Sequence, residues 1–213
     1  DRIIKSGSHM QEVLEHFEPK IAGSQILEKL ELKPKSFFVV SAHREENVDT
    51  PVNLQDLLNT LQALVNAYDM PVIVSTHPRT RQRLEALRFD GLDSRIQFLK
   101  PFGFFDYVKL QMEAFCILSD SGTITEEASL LGLTAVTIRN AHERPEGMDE
   151  GTLIMSGLKS ERVLDAVHIV TSQDKAGTIR RVVPDYEGAL VSQKVLRIVL
   201  SYVDFVNREV WSK

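Results

Sequence analysis

The segment FCILSDSGTITEEA, residues 115–128, leads from an apolar run directly into a helical pattern. A strand that ends in small and acidic residues and continues into a helix is typical of the ligand-binding edge of an α/β domain. Backbone N–H groups in the first turn of a helix lack intrahelical partners, and the helix dipole adds partial positive charge there. The segment therefore predicts an anion site at Ser121, Gly122 and Thr123.

The side chains of this segment support the same interpretation, but they also allow a purely structural one. Gly122 lets a ligand approach the backbone, and the hydroxyls of Ser121 and Thr123 can donate to phosphate oxygens. Glu126 and Glu127 follow, where a carboxylate can accept hydrogen bonds from sugar hydroxyls. Thr123 and Glu126 also have the spacing of a capping box, which would stabilise any helix. The spacing alone leaves both interpretations open.

Composition limits the class of protein. The chain has 213 residues, of which 43% are hydrophobic and 26% charged, so it can form one large core or two small ones. Its net charge of -5 argues against nucleic acid or an anionic membrane as the main partner. The single cysteine, Cys116, lies in an apolar run, which predicts a buried and inert thiol and a reducing, cytoplasmic location.

Short apolar runs alternate with helical patterns along most of the chain. The runs predict strands that are buried on both faces, at residues 37–41, 71–76, 96–99, 115–119 and 135–138. The stretches between them predict helices at residues 53–68, 80–87, 104–114 and 124–131. This alternation predicts an α/β fold with a doubly wound parallel sheet, Rossmann-like in its connections.

The two ends of the chain have different patterns. Residues 11–30 are helical in pattern with a break at 23–24, which predicts a connector packed on the domain. From residue 189 to 211 a long amphipathic helix is predicted, which could pack on its own domain or across another one. The predicted division is therefore a connector with packing helices at 1–30, a Rossmann-like domain at 31–188 and a C-terminal helix at 189–213.

Polar clusters follow three of the predicted strands, at residues 42–47, 77–79 and 120–127. Because ligands bind beyond the carboxyl ends of parallel strands, these clusters predict one shared site. His43 can contact a ligand there and hold a proton, or it can bond a neighbouring carboxylate such as Glu45.

Arg144 follows the fifth predicted strand, where its guanidinium could pair with a phosphate. The alternative for Arg144 is a salt bridge to one of three carboxylates, Glu127, Glu143 or Glu146. His77 and Arg79 are open to the same two interpretations. No metal-ligand spacing, phosphate-binding P-loop or GxGxxG motif is present, so zinc, ATP and NAD have no support and no cofactor is predicted.

Several motifs together resemble the non-hydrolysing UDP-N-acetylglucosamine 2-epimerases. The family's order and spacing are found in AHREEN at 42–47, HP at 77–78, SDSG at 119–122, EEA at 126–128, ERPE at 143–146 and GT at 151–152. The resemblance is to the C-terminal half of the family. It implies one domain of a two-domain GT-B-type fold that binds the UDP of a UDP-sugar, with the family's N-terminal domain absent from this chain. It also implies a homodimer when the protein is full length.

The resemblance further implies an elimination reaction. A base removes the proton at C2 of the sugar while the bond from C1 to UDP breaks, and UDP then adds back as a proton returns to the opposite face. His43 would contact the diphosphate or assist its departure. The UDP-binding residues implied are Ser121, Gly122, Thr123, Glu127, Arg144, Tyr107 and Phe102, with Glu127 at the ribose and Tyr107 near uracil. Arg44 and His77 match an activator site for a second UDP-sugar.

The carboxylates that transfer the C2 proton belong to the family's N-terminal domain. Thr123 replaces a glycine that is usual in the family. Residues 148–151 and 184–211 are similar to the branch that forms UDP-N-acetyl-L-fucosamine for capsule and O-antigen, so the choice between this sugar and UDP-N-acetylglucosamine stays open. The alternatives are half of a GT-B glycosyltransferase and a UDP-sugar-binding sensor domain.

Overall fold

The computed structural model describes residues 3–87, 91–141, 144–177, 182–188 and 190–213. Within these residues six short parallel strands form one sheet: β1 (Phe38–Ser41), β2 (Val72–Ser75), β3 (Ile96–Leu99), β4 (Cys116–Ser119), β5 (Ala135–Thr137) and β6 (Ile154–Met155). The spatial order is β3-β2-β1-β4-β5-β6. This is a doubly wound, Rossmann-like sheet, so the predicted fold class is confirmed.

Helices connect the strands and cover both faces of the sheet. They are α1 (Met10–Ala22), α2 (Ile26–Lys29), α3 (Glu45–Val48), α4 (Pro51–Tyr68), α5 (Pro78–Leu87), α6 (Phe104–Glu113), α7 (Ile124–Leu131), α8 (Pro145–Asp149), α9 (Ser160–Lys175) and α10 (Val191–Glu209). The five predicted strands and the predicted helices are confirmed within a few residues. The sequence did not predict β6, α3, α8 or α9, and the predicted starts at residues 1 and 189 lie outside the described residues.

The strands are mostly apolar because each of the two faces of the sheet packs against helices. Phe38, Val40 and Leu118 belong to a core that includes the buried side chains of α4 and α9. Val39 and Ile117 point to the opposite side and pack with residues of α6 and α7. Successive side chains of a strand alternate between its faces, so a strand between two helical layers needs apolar residues on both faces.

Local sequence signals mark one end each of α4 and α7. α4 starts at Pro51, where a proline loses no hydrogen bond, and α7 is closed by Gly132 in the left-handed conformation with φ 63°. Thr60 of α4 donates a buried hydrogen bond of 2.7 Å to the carbonyl of Leu158, just before α9.

The side chain of Cys116 is fully buried, and this burial raises the pKa of its thiol to about 12.

The terminal segments lie outside the sheet and its covering layers. Leu14 and Ile21 of α1 form a small buried cluster with Val108 of α6. The first turn of α10 packs on the rest of the chain, since Val191 is buried and Glu12 accepts a hydrogen bond from the backbone N–H of Ser192. Beyond it a row of large apolar residues is exposed, among them Val195, Leu196, Val199, Leu200, Tyr202, Val203 and Phe205. None of the described helices has the length and apolar character needed to cross a membrane.

Leu61 tests the core between α4 and the sheet. Its side chain is fully buried, so Leu61→Ala should lower the free energy of unfolding by about 2–5 kcal/mol, because a cavity remains. Urea denaturation measures this change. Val52→Ala on the same helix is the control: Val52 is 64% exposed and should change stability by less than about 0.5 kcal/mol. Equal losses at the two positions would contradict this packing.

Candidate functional site

The predicted site residues lie around the carboxyl ends of β1 and β4, where the strand order changes direction. β1 and β4 are neighbours in the sheet, with Ser41 opposite Ser119, although 77 residues separate His43 from Asp120. After β1 the chain moves towards β2, and after β4 it moves towards β5. The two connections diverge at the carboxyl ends of the strands, and a crevice is left between them.

Asp120 connects the two sides of this crevice. Its side chain is fully buried and accepts hydrogen bonds from the backbone N–H groups of His43 and Arg44, at 3.0 and 2.9 Å, and from the Asn47 amide at 3.0 Å. The Nε of Arg44 donates to the backbone carbonyl of Asp120 at 3.0 Å. A buried carboxylate is stable only when it is well hydrogen-bonded, and Asp120 meets that condition. The sequence motif contained Asp120, but no role was predicted for it.

The imidazole of His43 is held by the same carboxylate. Its Nδ1 lies 3.1 Å from Oδ1 of Asp120, so the carboxylate that pairs with the ring is that of Asp120. Because an ionised carboxylate can only accept, Nδ1 carries the hydrogen, and Nε2 is the nitrogen left for another partner. The hydrogen bond with Asp120 raises the pKa of His43, against the lowering effect of burial.

The pKa of Asp120 shifts in the opposite direction. Burial would raise the pKa of this carboxyl, but the hydrogen bonds from His43 and from the Arg44 backbone lower it below the usual aspartate value. The pair therefore favours a charged carboxylate beside a protonated imidazole.

The turn from β4 into α7 is arranged by its own hydroxyl groups. Ser119 Oγ accepts from the backbone N–H of Ser121 at 3.1 Å, and the hydroxyls of Ser121 and Thr123 are 3.0 Å apart. Thr123 is the N-cap residue of α7, yet its side chain makes no capping hydrogen bond. The capping-box interpretation is therefore wrong, because the Thr123 hydroxyl faces Ser121 and the Glu126 carboxylate faces Arg144.

Arg144 lies across from this turn. Its Nη2 is 3.4 Å from Oε1 of Glu126, so the partner is Glu126 and not Glu127 or Glu146; Glu143 lies outside the described residues. Gly147 brings α8 this close to α7, since a Cβ there would lie 2.0 Å from the methyl group of Thr125. Arg144 thereby reaches a small open pocket at the start of α7.

Two arginines border this pocket. Its lining includes Ser121, Gly122, Thr125, Thr137, Arg139, Arg144 and Met148. Arg139 follows β5 directly and is only 6% exposed. Arg139 was not predicted from the sequence, although it follows a strand in the same way as His43 does. Hydroxyl donors and two guanidinium groups around one pocket can bind an oxyanion.

A second group of predicted residues lies between α6 and α7. Glu127 is 9% exposed and accepts a 2.6 Å hydrogen bond from the Gln111 amide. Tyr107 and Phe102 are half-buried and pack against the core cluster on this face of the sheet. Burial and the charge of Glu127 raise the pKa of the Tyr107 hydroxyl. An aromatic ring and a carboxylate are thus close together on the helix pair of α6 and α7.

The two remaining predicted residues lie on the other side of the crevice. Arg44 follows β1 and is half-buried through its bonds to Asp120. His77 follows β2, the neighbour of β1, and is exposed just before α5. Both therefore lie at the carboxyl edge of the sheet, as predicted.

Comparisons with known proteins agree on one family. A family model described as UDP-N-acetylglucosamine 2-epimerase matches residues 1–200. A UDP-N-acetylglucosamine 2-epimerase structure from Rickettsia bellii is similar, with 59% identity and a TM-score of 0.89 over 98% of this chain and 56% of that one. The Methanocaldococcus jannaschii enzyme in complex with UDP-GlcNAc and UDP has 26% identity and a TM-score of 0.81, over 92% of this chain and 54% of that one.

A sequence match to the curated enzyme of Methanocaldococcus jannaschii has 34% identity over 142 residues. It covers 65% of this chain and 39% of that protein. The chain therefore spans well under two thirds of the length of these relatives.

The pair of His43 and Asp120 can be tested by titration. In Asp120→Asn the neutral amide should no longer stabilise the imidazolium, while burial still disfavours it, so the pKa of His43 should fall below its value in the native protein. Proton NMR titration of the histidine ring, assigned with His43→Gln, measures this pKa. Asp93→Asn removes another aspartate that is hydrogen-bonded to a cation, Arg95, and should leave the titration unchanged. An unchanged pKa in Asp120→Asn would exclude the pairing.

Proposed function

Because the chain belongs to the UDP-N-acetylglucosamine 2-epimerase family, we propose that it is the UDP-binding part of an enzyme that inverts C2 of a UDP-N-acetylhexosamine. The observation that carries the proposal is the pocket bordered by Ser121, Gly122 and Arg144, beside an imidazole fixed by Asp120. The related Methanocaldococcus jannaschii structure contains UDP-GlcNAc and UDP, which is the ligand chemistry that this pocket suits.

The diphosphate occupies the start of α7 in this proposal. Gly122 lets the phosphate oxygens approach the backbone, and the hydroxyls of Ser121 and Thr123 donate to them. Arg144 exchanges its 3.4 Å contact with Glu126 for the diphosphate, which can accept two parallel hydrogen bonds from a guanidinium. Support for this exchange comes from the length of the Arg144–Glu126 contact, which is long for a charge-assisted hydrogen bond.

His43 assists the departure of UDP. Breaking the bond between C1 and the diphosphate oxygen leaves negative charge on that oxygen, which a cation or a proton donor at the same place stabilises. The raised pKa of His43 favours the imidazolium, and Nδ1 is held by Asp120, so Nε2 presents its hydrogen to the crevice. UDP stays bound while the 2-acetamidoglycal forms and then adds back. This elimination needs no redox cofactor.

The nucleoside lies between α6 and α7. Tyr107 and Phe102 contact uracil, and Glu127 accepts hydrogen bonds from the ribose hydroxyls. Arg44 and His77, at the carboxyl ends of β1 and β2, form the site for a second UDP-sugar that acts as an activator. Their position on the opposite side of Asp120 from the α7 turn supports a separate contact surface.

The rest of the enzyme supplies the other half of the chemistry. We place the carboxylates that transfer the C2 proton in an N-terminal domain outside these residues, and we propose a cytoplasmic homodimer that makes precursors of surface polysaccharides. The unpaired apolar face of α10 is consistent with further protein contacts. The substrate is UDP-N-acetylglucosamine or the precursor of UDP-N-acetyl-L-fucosamine.

Titration with UDP tests the diphosphate site. We expect saturable binding, weakened by roughly ten- to hundredfold in Arg144→Ala and in Ser121→Ala, because each variant loses a hydrogen bond to a charged group. Isothermal titration calorimetry measures both affinities. Arg83→Ala is the matched control. Arg83 pairs with Asp49 on the surface, so this variant should bind UDP with the native affinity. Unchanged affinity in both site variants would refute the assignment.

Solvent exchange tests the reaction in the complete protein. During turnover of UDP-N-acetylglucosamine in D₂O, deuterium should enter at C2, as proton NMR and mass spectrometry can measure. His43→Gln should slow this exchange by roughly 10²- to 10⁴-fold, the usual contribution of a general acid. His16→Gln on α1 should leave it unchanged. Sugar transfer to an acceptor without C2 exchange would instead indicate a glycosyltransferase, and binding without either reaction would indicate a sensor.

A further inference from the structure

Gln111 is a polar residue that is buried among apolar side chains. It lies on α6 with 1% of its surface exposed, between apolar neighbours such as Val108 and Leu110 that belong to the core. Its Nε2 donates a 2.6 Å hydrogen bond to Oε2 of Glu127. Its Oε1 is buried and has no hydrogen-bond partner among the described residues.

This arrangement is costly for stability. A buried amide carbonyl without a partner loses its hydration and gains nothing in return. A methionine has nearly the same length and shape, and it would fill the space without that penalty. The reason for an amide at position 111 is therefore the bond that it makes to Glu127.

The bond determines the orientation of the Glu127 carboxylate. Gln111 makes the only hydrogen bond found to this carboxylate within the described part of the chain. Rotation about the terminal torsion of a glutamate is otherwise broad, so a donor at 2.6 Å restricts the orientations that the carboxylate can adopt. Since Oε2 is occupied by Gln111, Oε1 is the oxygen that remains for a ligand.

The neighbours of this pair are arranged like the parts of a nucleoside. Tyr107 lies one turn before Gln111 on the same face of α6, and the charge of Glu127 raises the pKa of its hydroxyl. Ser121, which lines the anion pocket, lies just before the start of α7, the helix that carries Glu127. The carboxylate of Glu127 thus faces α6, which carries the aromatic ring, and it belongs to the helix whose start borders the anion pocket. A nucleoside diphosphate likewise places its sugar between the base and the phosphates.

We propose that Gln111 is the positioning residue that orients Glu127 to bind the ribose hydroxyls, and that this pair selects ribonucleotides over deoxyribonucleotides. The inference rests on the proposed UDP site. A site built to hydrogen-bond a hydroxyl disfavours an analogue that lacks it, because its polar groups are then left unpaired. The selectivity depends on a fixed carboxylate, and hence on Gln111.

The test compares UDP with 2′-deoxy-UDP and 3′-deoxy-UDP by isothermal titration calorimetry, for the native protein and for Gln111→Met. The native protein should prefer UDP to at least one deoxy analogue by roughly ten- to hundredfold, the effect of a hydrogen bond to a charged group. In Gln111→Met the affinity for UDP should fall while the affinity for that analogue stays within about twofold. Thermal unfolding should show that the variant is still folded at the temperature of the titration, although it loses the hydrogen bond to the buried Glu127 carboxylate.

Two further variants separate positioning from a structural effect. Glu127→Ala should abolish the same preference, and Gln111→Met combined with Glu127→Ala should lose nothing further, because the two residues act as one unit. Gln55→Met is the control, since it removes an amide bond of the same kind on α4 and should keep the preference.

The outcomes distinguish this inference from the function on which it rests. If the native protein binds no UDP, the proposed function itself fails. If it binds UDP but Gln111→Met weakens UDP and both deoxy analogues equally, or if the native protein does not discriminate between them, the positioning role of Gln111 is wrong and the UDP site stands.

Discussion

The hydrogen bonds that converge on Asp120 are the constraint on which the candidate site depends. A doubly wound sheet leaves a gap where its two halves diverge, and the loops on either side belong to distant parts of the sequence. Asp120 joins the two loops, because its side chain at the end of β4 accepts hydrogen bonds from the backbone N–H groups that follow β1. Its burial makes each of these bonds costly to break, because a carboxylate removed from water must keep its partners. The imidazole of His43 is thereby fixed relative to the α7 turn.

Two adjacent glutamates at the start of α7 have different roles. Glu126 balances the guanidinium of Arg144 across the anion pocket, while Glu127 turns towards α6 and receives the amide of Gln111. Consecutive residues on a helix point about 100° apart, which places one carboxylate on each side of the same turn. An anion and a neutral polyol can therefore be bound side by side on one short helix.

Local sequence patterns were sufficient for most of the fold. The apolar runs predicted β1 to β5 and the helical patterns predicted α7 at 124–131, because both signals act within a few residues. α9 was missed although Val163, Ala166 and Val167 form an apolar stripe of helical period, and β6, with two residues, is too short for any periodicity. The partners within the site could not be predicted from local patterns. The pairing of His43 with Asp120 depends on the order of the strands in the sheet. The pairing of Arg144 with Glu126 depends on the close approach of α8 at Gly147.

The burial of Cys116 has a practical consequence for work on this protein. Its sulfur is the single native thiol in the sequence, it is fully enclosed in β4, and its pKa of about 12 leaves almost no thiolate at neutral pH. Maleimide and iodoacetamide reagents attack thiolates, so the folded chain should give no background labelling. A cysteine introduced on the exposed face of α10 can therefore carry a fluorophore or spin label without first removing the native residue.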